Sequence, residues 1–255
     1  MNPDLDYIKT FLDQKYQFYC RADFIPGDPI SIPHLFSRKE DIEIAGFFTA
    51  TLSWGQRKTI LQNAHQLLKL MDYSPYEFVT QADENDLKVL EPFKHRTFNA
   101  TDCKYFIRSM KNIYLNYGGL ENAFKKPGDE NVKSLIINFR NIFFSIPHPA
   151  RTVKHVADPS TGASAKRINM FLRWMVREDK DGVDFGIWDS IRPSQLYCPL
   201  DIHTGNVARK LGLISRMQND WKALEELMHY LRIFDPEDPV KYDFALFGLD
   251  IFEKF

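Results

Sequence analysis

Cysteine is scarce in this chain. Cys20, Cys103 and Cys198 are the only three among 255 residues, and they lie far apart. Nothing in their placement matches the paired spacing of zinc or iron–sulfur ligands, so neither a metal site nor a cofactor is expected, and free thiols of this kind suit a reducing compartment. No apolar run approaches the length of a membrane span, and an opening segment that is acidic at Asp4 and Asp6 does not read as a signal peptide. The expected location is cytoplasmic, without membrane contact. Neither sign of charge dominates, since 33 Lys and Arg against 34 Asp and Glu leave a formal net charge of −1. Bulk electrostatics therefore does not mark a nucleic-acid binder, and any such role must rest on a local basic face. Convincing period-2 alternation, internal repeats and low-complexity linkers are missing as well. At 44% hydrophobic, the chain can bury a full core as one large domain or two lobes.

Helical periodicity is what the chain has in quantity. Ile60, Leu61, Ala64, Leu67, Leu68 and Met71 form one apolar stripe. Phe106, Met110, Ile113 and Tyr117 form another, stopped by Gly118-Gly119. Val132, Leu135, Ile136, Phe139 and Phe143 form a third, ended by the prolines of Ile146-Pro147-His148-Pro149. Leu224, Leu227, Met228 and Leu231 follow Asp220, a candidate N-cap, and Asp238-Pro239 opens a last helix through Phe252. Ile42 to Trp54 is apolar nearly all round, which predicts a central buried helix wrapped by the amphipathic helices from 57 to 177. The fold class read from this pattern is all-α. The 21 phenylalanines and 11 tyrosines fall mostly on the stripes, as core residues do.

Two short segments combine residue types able to do chemistry. In Ser160–Arg177 the apolar residues Ile168, Phe171, Leu172, Met175 and Val176 mark one face, and Lys166, Arg173 and Arg177 line up opposite. Six basic residues between Arg151 and Arg177 face one acid, Asp158, an excess that suits phosphate contacts as well as a solvated face. Lys166 falls in a first helical turn, where the dipole disfavours an ammonium; it is either a nucleophilic amine or an ordinary surface lysine. In Pro199-Leu200-Asp201-Ile202-His203, Asp201 precedes a helix whose dipole favours a carboxylate. It is either a functional acid or an N-cap contributing about 1 kcal/mol. His203 is open to capping, to phosphate binding or to metal ligation, the last without a second ligand at useful spacing.

The segment Gly162–Arg209 resembles the catalytic region of the helix-hairpin-helix DNA glycosylases, the superfamily of endonuclease III and the 8-oxoguanine glycosylases. The matching residues are Lys166 with Asn169, and Leu200-Asp201-Ile202-His203 with Val207-Ala208. Leu52-Ser53-Trp54-Gly55-Gln56, followed by Asn63-Ala64, is similar to the family's Leu-Ser-x-Gln turn with one residue added. The likeness covers about residues 42–71 and 160–211. The family's Gly-x-Gly hairpin is reduced to Gly162, and the endonuclease III cysteine cluster is absent. Asp201 follows Lys166 by 35 positions, closer to the archaeal 8-oxoguanine enzymes, with Asp179–Ser194 filling the extra length.

This resemblance implies a two-lobed helical fold within one compact chain. A six-helix lobe is expected over about 42–177, with its hairpin at 158–166, and a second lobe from 1–41 plus 195–255. It implies a monomeric base-excision glycosylase with lyase activity on double-stranded DNA, turning a damaged base into the cleft between lobes. Lys166 and Asp201 would be catalytic. Gln56, Gly162, Ser164, Arg167, Arg173 and His203 would contact DNA, and Trp188 would line the base pocket and favour an oxidised purine, unless it is core packing. A non-catalytic DNA- or RNA-binding protein of the same fold, or a helical interaction module, are the alternatives.

Overall fold

The structure is a computed structural model that describes residues 4–126, 128 and 131–255. It contains eleven α-helices among the described residues, and its strands are confined to one short hairpin, so the fold is all-helical. The chain divides into two compact units, Met1–Ile25 with Asp158–Phe255, and Pro26–Ala157.

The Pro26–Ala157 unit is built around helix α2, Lys39–Leu52, in which every residue from Ile42 to Leu52 is buried. No apolar stripe is needed there, because protein covers the helix on all sides. Ser53 and Trp54 lie just past its end. Helix α3 is Arg57–Leu70, α4 is Pro75–Gln81, α5 is Ala100–Asn116, α6 is Leu120–Phe124 and α7 is Val132–Phe143. The apolar stripes of α3, α5 and α7 are buried as their spacing requires. Phe47 of α2 meets the rings of Phe106, Phe139 and Phe143 at 5.8, 5.4 and 5.5 Å, and Phe139 stacks on Phe124 at 4.1 Å. The start of α5 is fixed by a capping box between Asn99 and Asp102. Its end is fixed by Gly118 and Gly119, whose φ values of +74° and +101° no other residue adopts easily. Ahead of α5, β1 (Lys94–His95) and β2 (Phe98–Asn99) form an antiparallel hairpin too short to show any alternation.

The other unit contains α1, Leu5–Tyr19; α8, Lys166–Val176; α9, Ile202–Lys210; α10, Trp221–Phe234; and α11, Tyr242–Glu253. Asp4 caps α1 through Tyr7 N, and Asp220 caps α10 through Ala223 N. The α8 segment departs from the sequence reading, because every residue from Ile168 to Val176 is buried, including Asn169 and Arg173. The division between units also corrects the expected lobes. Residues 158–177 belong with the two chain ends rather than with the 42–71 region, and residues 26–41 belong with the 42–157 region. The reason is that α8 finds its charged partners on the segments near Asp184, Asp238 and Asp243.

Helices α1 and α11 pack closely enough to leave no room for a methyl group. A Cβ on Gly248 would sit 2.3 Å from the Tyr19 ring. Gly248→Ala is expected to destabilise the protein by about 1–3 kcal/mol through this overpacking, read as a lowered urea midpoint at unchanged m-value.

Candidate functional site

The hairpin before α8 is set by local bonds. Asp158 accepts from Ser160 N at 2.9 Å and Ser160 Oγ at 2.6 Å, which winds the 3-10 turn Pro159–Thr161. Gly162, at φ +92°, ends that turn. Its carbonyl accepts from Trp221 N at 2.8 Å, tying the hairpin to the start of α10. Ala165 enters the left-handed region at φ +50° immediately before α8. Asn169 Nδ2 donates to the Ser164 carbonyl at 2.9 Å, while its buried Oδ1 has no partner. Ser164 Oγ lies 3.5 Å from the Leu200 carbonyl, so the hairpin abuts the segment that carries Asp201.

Asp201 is the N-cap of α9. Its Oδ1 accepts from His203 N at 2.9 Å and Thr204 N at 3.1 Å. The other oxygen, Oδ2, lies 3.7 Å from Lys166 Nζ, with both side chains partly exposed. One carboxylate thus caps a helix with one oxygen and faces an amine with the other, so the two readings of Asp201 do not compete. Asn219 holds the backbone here, donating to the Asp201 carbonyl at 2.8 Å and accepting from Arg209 Nη2 at 2.5 Å. Gly205 leaves the space for that arrangement, since a Cβ there would come within 2.6 Å of Asn219 Oδ1.

Behind this pair lies a buried carboxyl group. Asp243 on α11 meets Cys198 Sγ at 3.6 Å and Thr204 Oγ1 at 3.4 Å through Oδ1, and pairs with Arg173 through Oδ2. Burial pushes its carboxyl up to about 6; Arg173 opposes the shift and the Asp201 carboxylate adds to it. His203 is committed to Asp250, with Nδ1 2.5 Å from Oδ2, and presents an exposed ring edge beside Phe247.

Two expected site residues lie elsewhere. Arg173 is only 4% exposed and pairs with Asp184 at 3.2 Å as well as with Asp243. Arg177, which shared the predicted basic face, is buried among Asp179, Asp184 and Asp238 at 3.3, 3.0 and 2.8 Å, and donates to Tyr16 Oη. Neither guanidinium reaches a surface where phosphate could bind. Trp188, 2% exposed and set edge-on to Phe171 at 5.4 Å, is core and not a pocket rim. The Asp179–Ser194 insert places it there. Its backbone runs along the end of α8, with Phe185 N and Trp188 N donating to the Trp174 and Met175 carbonyls. Gly162, Ser164 and Arg167 do flank Lys166, Arg167 being half-buried. Gln56 belongs to the other unit, where it is exposed ahead of α3 with no side-chain cap bond.

Asp243, Asp250 and Asn219 were not singled out from sequence. Asp243 and Asp250 fall seven residues apart on a helix whose other residues before Glu253 are apolar or aromatic, which was the available signal. Among the described residues no group of three His, Cys, Asp or Glu side chains is placed to hold a metal ion, and no helix is long and apolar enough to cross a membrane.

The family described as protein of unknown function (DUF2400) matches residues 28–252. The chain belongs to the DUF2400 family. No curated protein and no solved structure matches it.

Two outcomes test the buried charges. Arg173→Leu leaves the Asp243 carboxylate without its cation, while Asp184 keeps Arg177 at 3.0 Å, and is expected to cost about 3–5 kcal/mol in urea unfolding. The second concerns pH. Because the native Asp243 value is raised to about 6 from 3.8, the folded protein takes up a proton between those values before the unfolded chain does. Its contribution to stability therefore grows as pH falls through that window and is lost as pH rises through 6. Asp243→Asn lacks this gain, so the stability difference, wild type minus variant, is expected to rise between pH 7 and pH 4.5.

Proposed function

We propose that this DUF2400 member excises damaged bases from double-stranded DNA by lysine-dependent glycosylase and lyase chemistry. The observation that carries the reading is the approach of Lys166 Nζ to within 3.7 Å of Asp201 Oδ2, each group at the N-terminus of its own helix. An amine beside a carboxylate that is kept in place by two backbone N–H groups is equipped for nucleophilic substitution at a sugar carbon. The target base leaves the stack first, because its glycosidic bond is inaccessible within the duplex.

In the proposed reaction the Lys166 amine attacks C1′ as the bond from C1′ to the base nitrogen breaks. The base departs with that electron pair and is protonated by solvent. Asp201 stabilises the positive charge that develops on the sugar and accepts the proton released by the amine. Opening of the sugar ring gives a Schiff base; loss of the C2′ proton then expels the 3′ phosphate. The nucleophile comes from the protein, so the scheme calls for no metal or organic cofactor. His203, through its exposed edge, and the backbone at Gly162–Ser164 are the phosphate contacts in this reading. Preference for an oxidised purine had rested on Trp188 and loses that support with its burial.

Lys166→Gln is expected to abolish borohydride trapping of a covalent adduct across a panel of lesion-containing duplexes. Asp201→Asn preserves a competent N-cap and is expected to slow base release about 10²–10⁴-fold in single-turnover assays. Wild-type protein that traps no lesion in the panel would overturn the proposal.

A further inference from the structure

The Pro26–Ala157 unit has a distribution of charge that the proposed chemistry does not use. Three stretches of its sequence, residues 44–71, 92–101 and 131–157, contain no Asp or Glu at all. Parts of all three meet on the surface. Arg96, in the turn of the β1–β2 hairpin, lies over the Trp54 ring at 4.4 Å, which joins the hairpin to the Trp54–Lys58 segment. His95 strengthens that junction from beneath, with Nε2 3.2 Å from the Trp54 carbonyl and Nδ1 2.8 Å from Asn63. On the other side, Arg151 donates to the Thr97 carbonyl at 2.9 Å and to Asn99 Oδ1 at 2.7 Å, which brings in the 3-10 turn Ala150–His155.

Lys58, Lys94, Arg96 and Lys154 are exposed on these segments, and none makes an ion pair among the described residues. Of the acids that bound the hairpin stretch, Asp102 is fully buried and engaged by Arg151 and Thr152, and exposed Glu91 is paired with Lys104. The arrangement is held in spite of backbone strain at Arg96. Arg96 has φ +55° and Gly55 has φ +108°, and a Cβ on Gly55 would sit 2.6 Å from Arg96 Nη1. The guanidinium can lie on the indole only because position 55 has no side chain. A left-handed arginine secured in this way is a costly way to present a positive charge, and such strain concentrates at working surfaces. Because Arg96 covers the Trp54 ring, the surface presents fixed cations to a partner, with no bare aromatic platform.

We propose that this face binds the sugar–phosphate backbone of duplex DNA, with Lys58, Lys94, Arg96 and Lys154 as phosphate contacts. The choice of DNA among polyanions rests on the proposed function; the cationic face itself does not. Spaced point charges without exposed apolar rings suit a phosphate backbone better than a lipid surface, which would also draw on buried apolar area.

The test measures binding of an undamaged, fluorescein-labelled duplex to the full chain by anisotropy over a series of salt concentrations. Replacing Lys58, Lys94, Arg96 and Lys154 together by glutamine is expected to weaken binding at low salt by at least about 100-fold. The plot of log affinity against log salt should become shallower by about 3.6, as four lost phosphate contacts require. Exchanging lysine for arginine at 58, 94 and 154 and arginine for lysine at 96 is expected to retain most of the binding, which separates charge from fold. Adduct trapping on lesion-containing duplexes is scored separately from binding of the undamaged duplex, so failure of the proposed chemistry and failure of this surface are read independently. An unchanged salt slope in the glutamine variant overturns the proposal, and so does binding to anionic vesicles without binding to the duplex.

Discussion

Two arginines without access to water determine how the unit formed by the chain ends is built. Arg173 lies on the last turn of α8 and Arg177 just past its end, and each is costly to bury unless carboxylates meet it. Asp184 meets both, Asp243 completes Arg173, and Asp179 with Asp238 completes Arg177. Phe244 lies against both guanidinium planes, at 4.2 and 5.6 Å. The 179–184 loop that follows α8 and the distant 238–244 stretch are thereby held to one helix in one rotational setting. Since Lys166 opens that helix and Asp243 sits beside the cap of α9, the same charges orient the amine and the carboxylate of the candidate site. A hydrophobic replacement of equal volume could supply stability, but it would not specify rotation about the helix axis in the same way.

Legibility in the sequence followed burial geometry. Helices α3, α5 and α7 each bury one face, so their apolar spacing was a direct record of their surroundings. Helix α2 was legible because it buries every face. Helix α8 was located correctly and misread in character: periodicity registers Arg173 and Arg177 as polar, and nothing local reveals that Asp184, Asp238 and Asp243 come to meet them. Lys166 and Asp201 were legible because helix starts carry local chemistry, a hairpin in one case and an N-cap in the other. Trp188 was not, since an insert long enough to form a pocket rim is equally long enough to turn back over a helix end. The β1–β2 hairpin escaped notice because two-residue strands carry no period.

The two units divide the electrostatics unevenly. A formal net charge of −1 concealed an acid-free surface on Pro26–Ala157, where acids are excluded by stretch and not merely outnumbered. In the other unit, carboxylates are drawn inward to neutralise α8. Averages over a whole chain erase this kind of sorting; only the contacts that join Trp54, Arg96 and Arg151 into one surface recover it.

The engagement of Arg177 with Tyr16 and Asp238 also bears on how the protein is made. Helix α1 is synthesised before Pro26–Ala157, yet its partners at Arg177 and on α11 are synthesised only after that whole segment. That intervening segment has its own aromatic core and can condense during translation, as domains generally do. For that interval α1 is an orphan, with the exposed rings of Tyr7 and Phe18 among its residues. Premature termination soon after Ala157 would release a chain with a folded Pro26–Ala157 unit and an unsatisfied α1, the species that chaperones and proteases are suited to intercept.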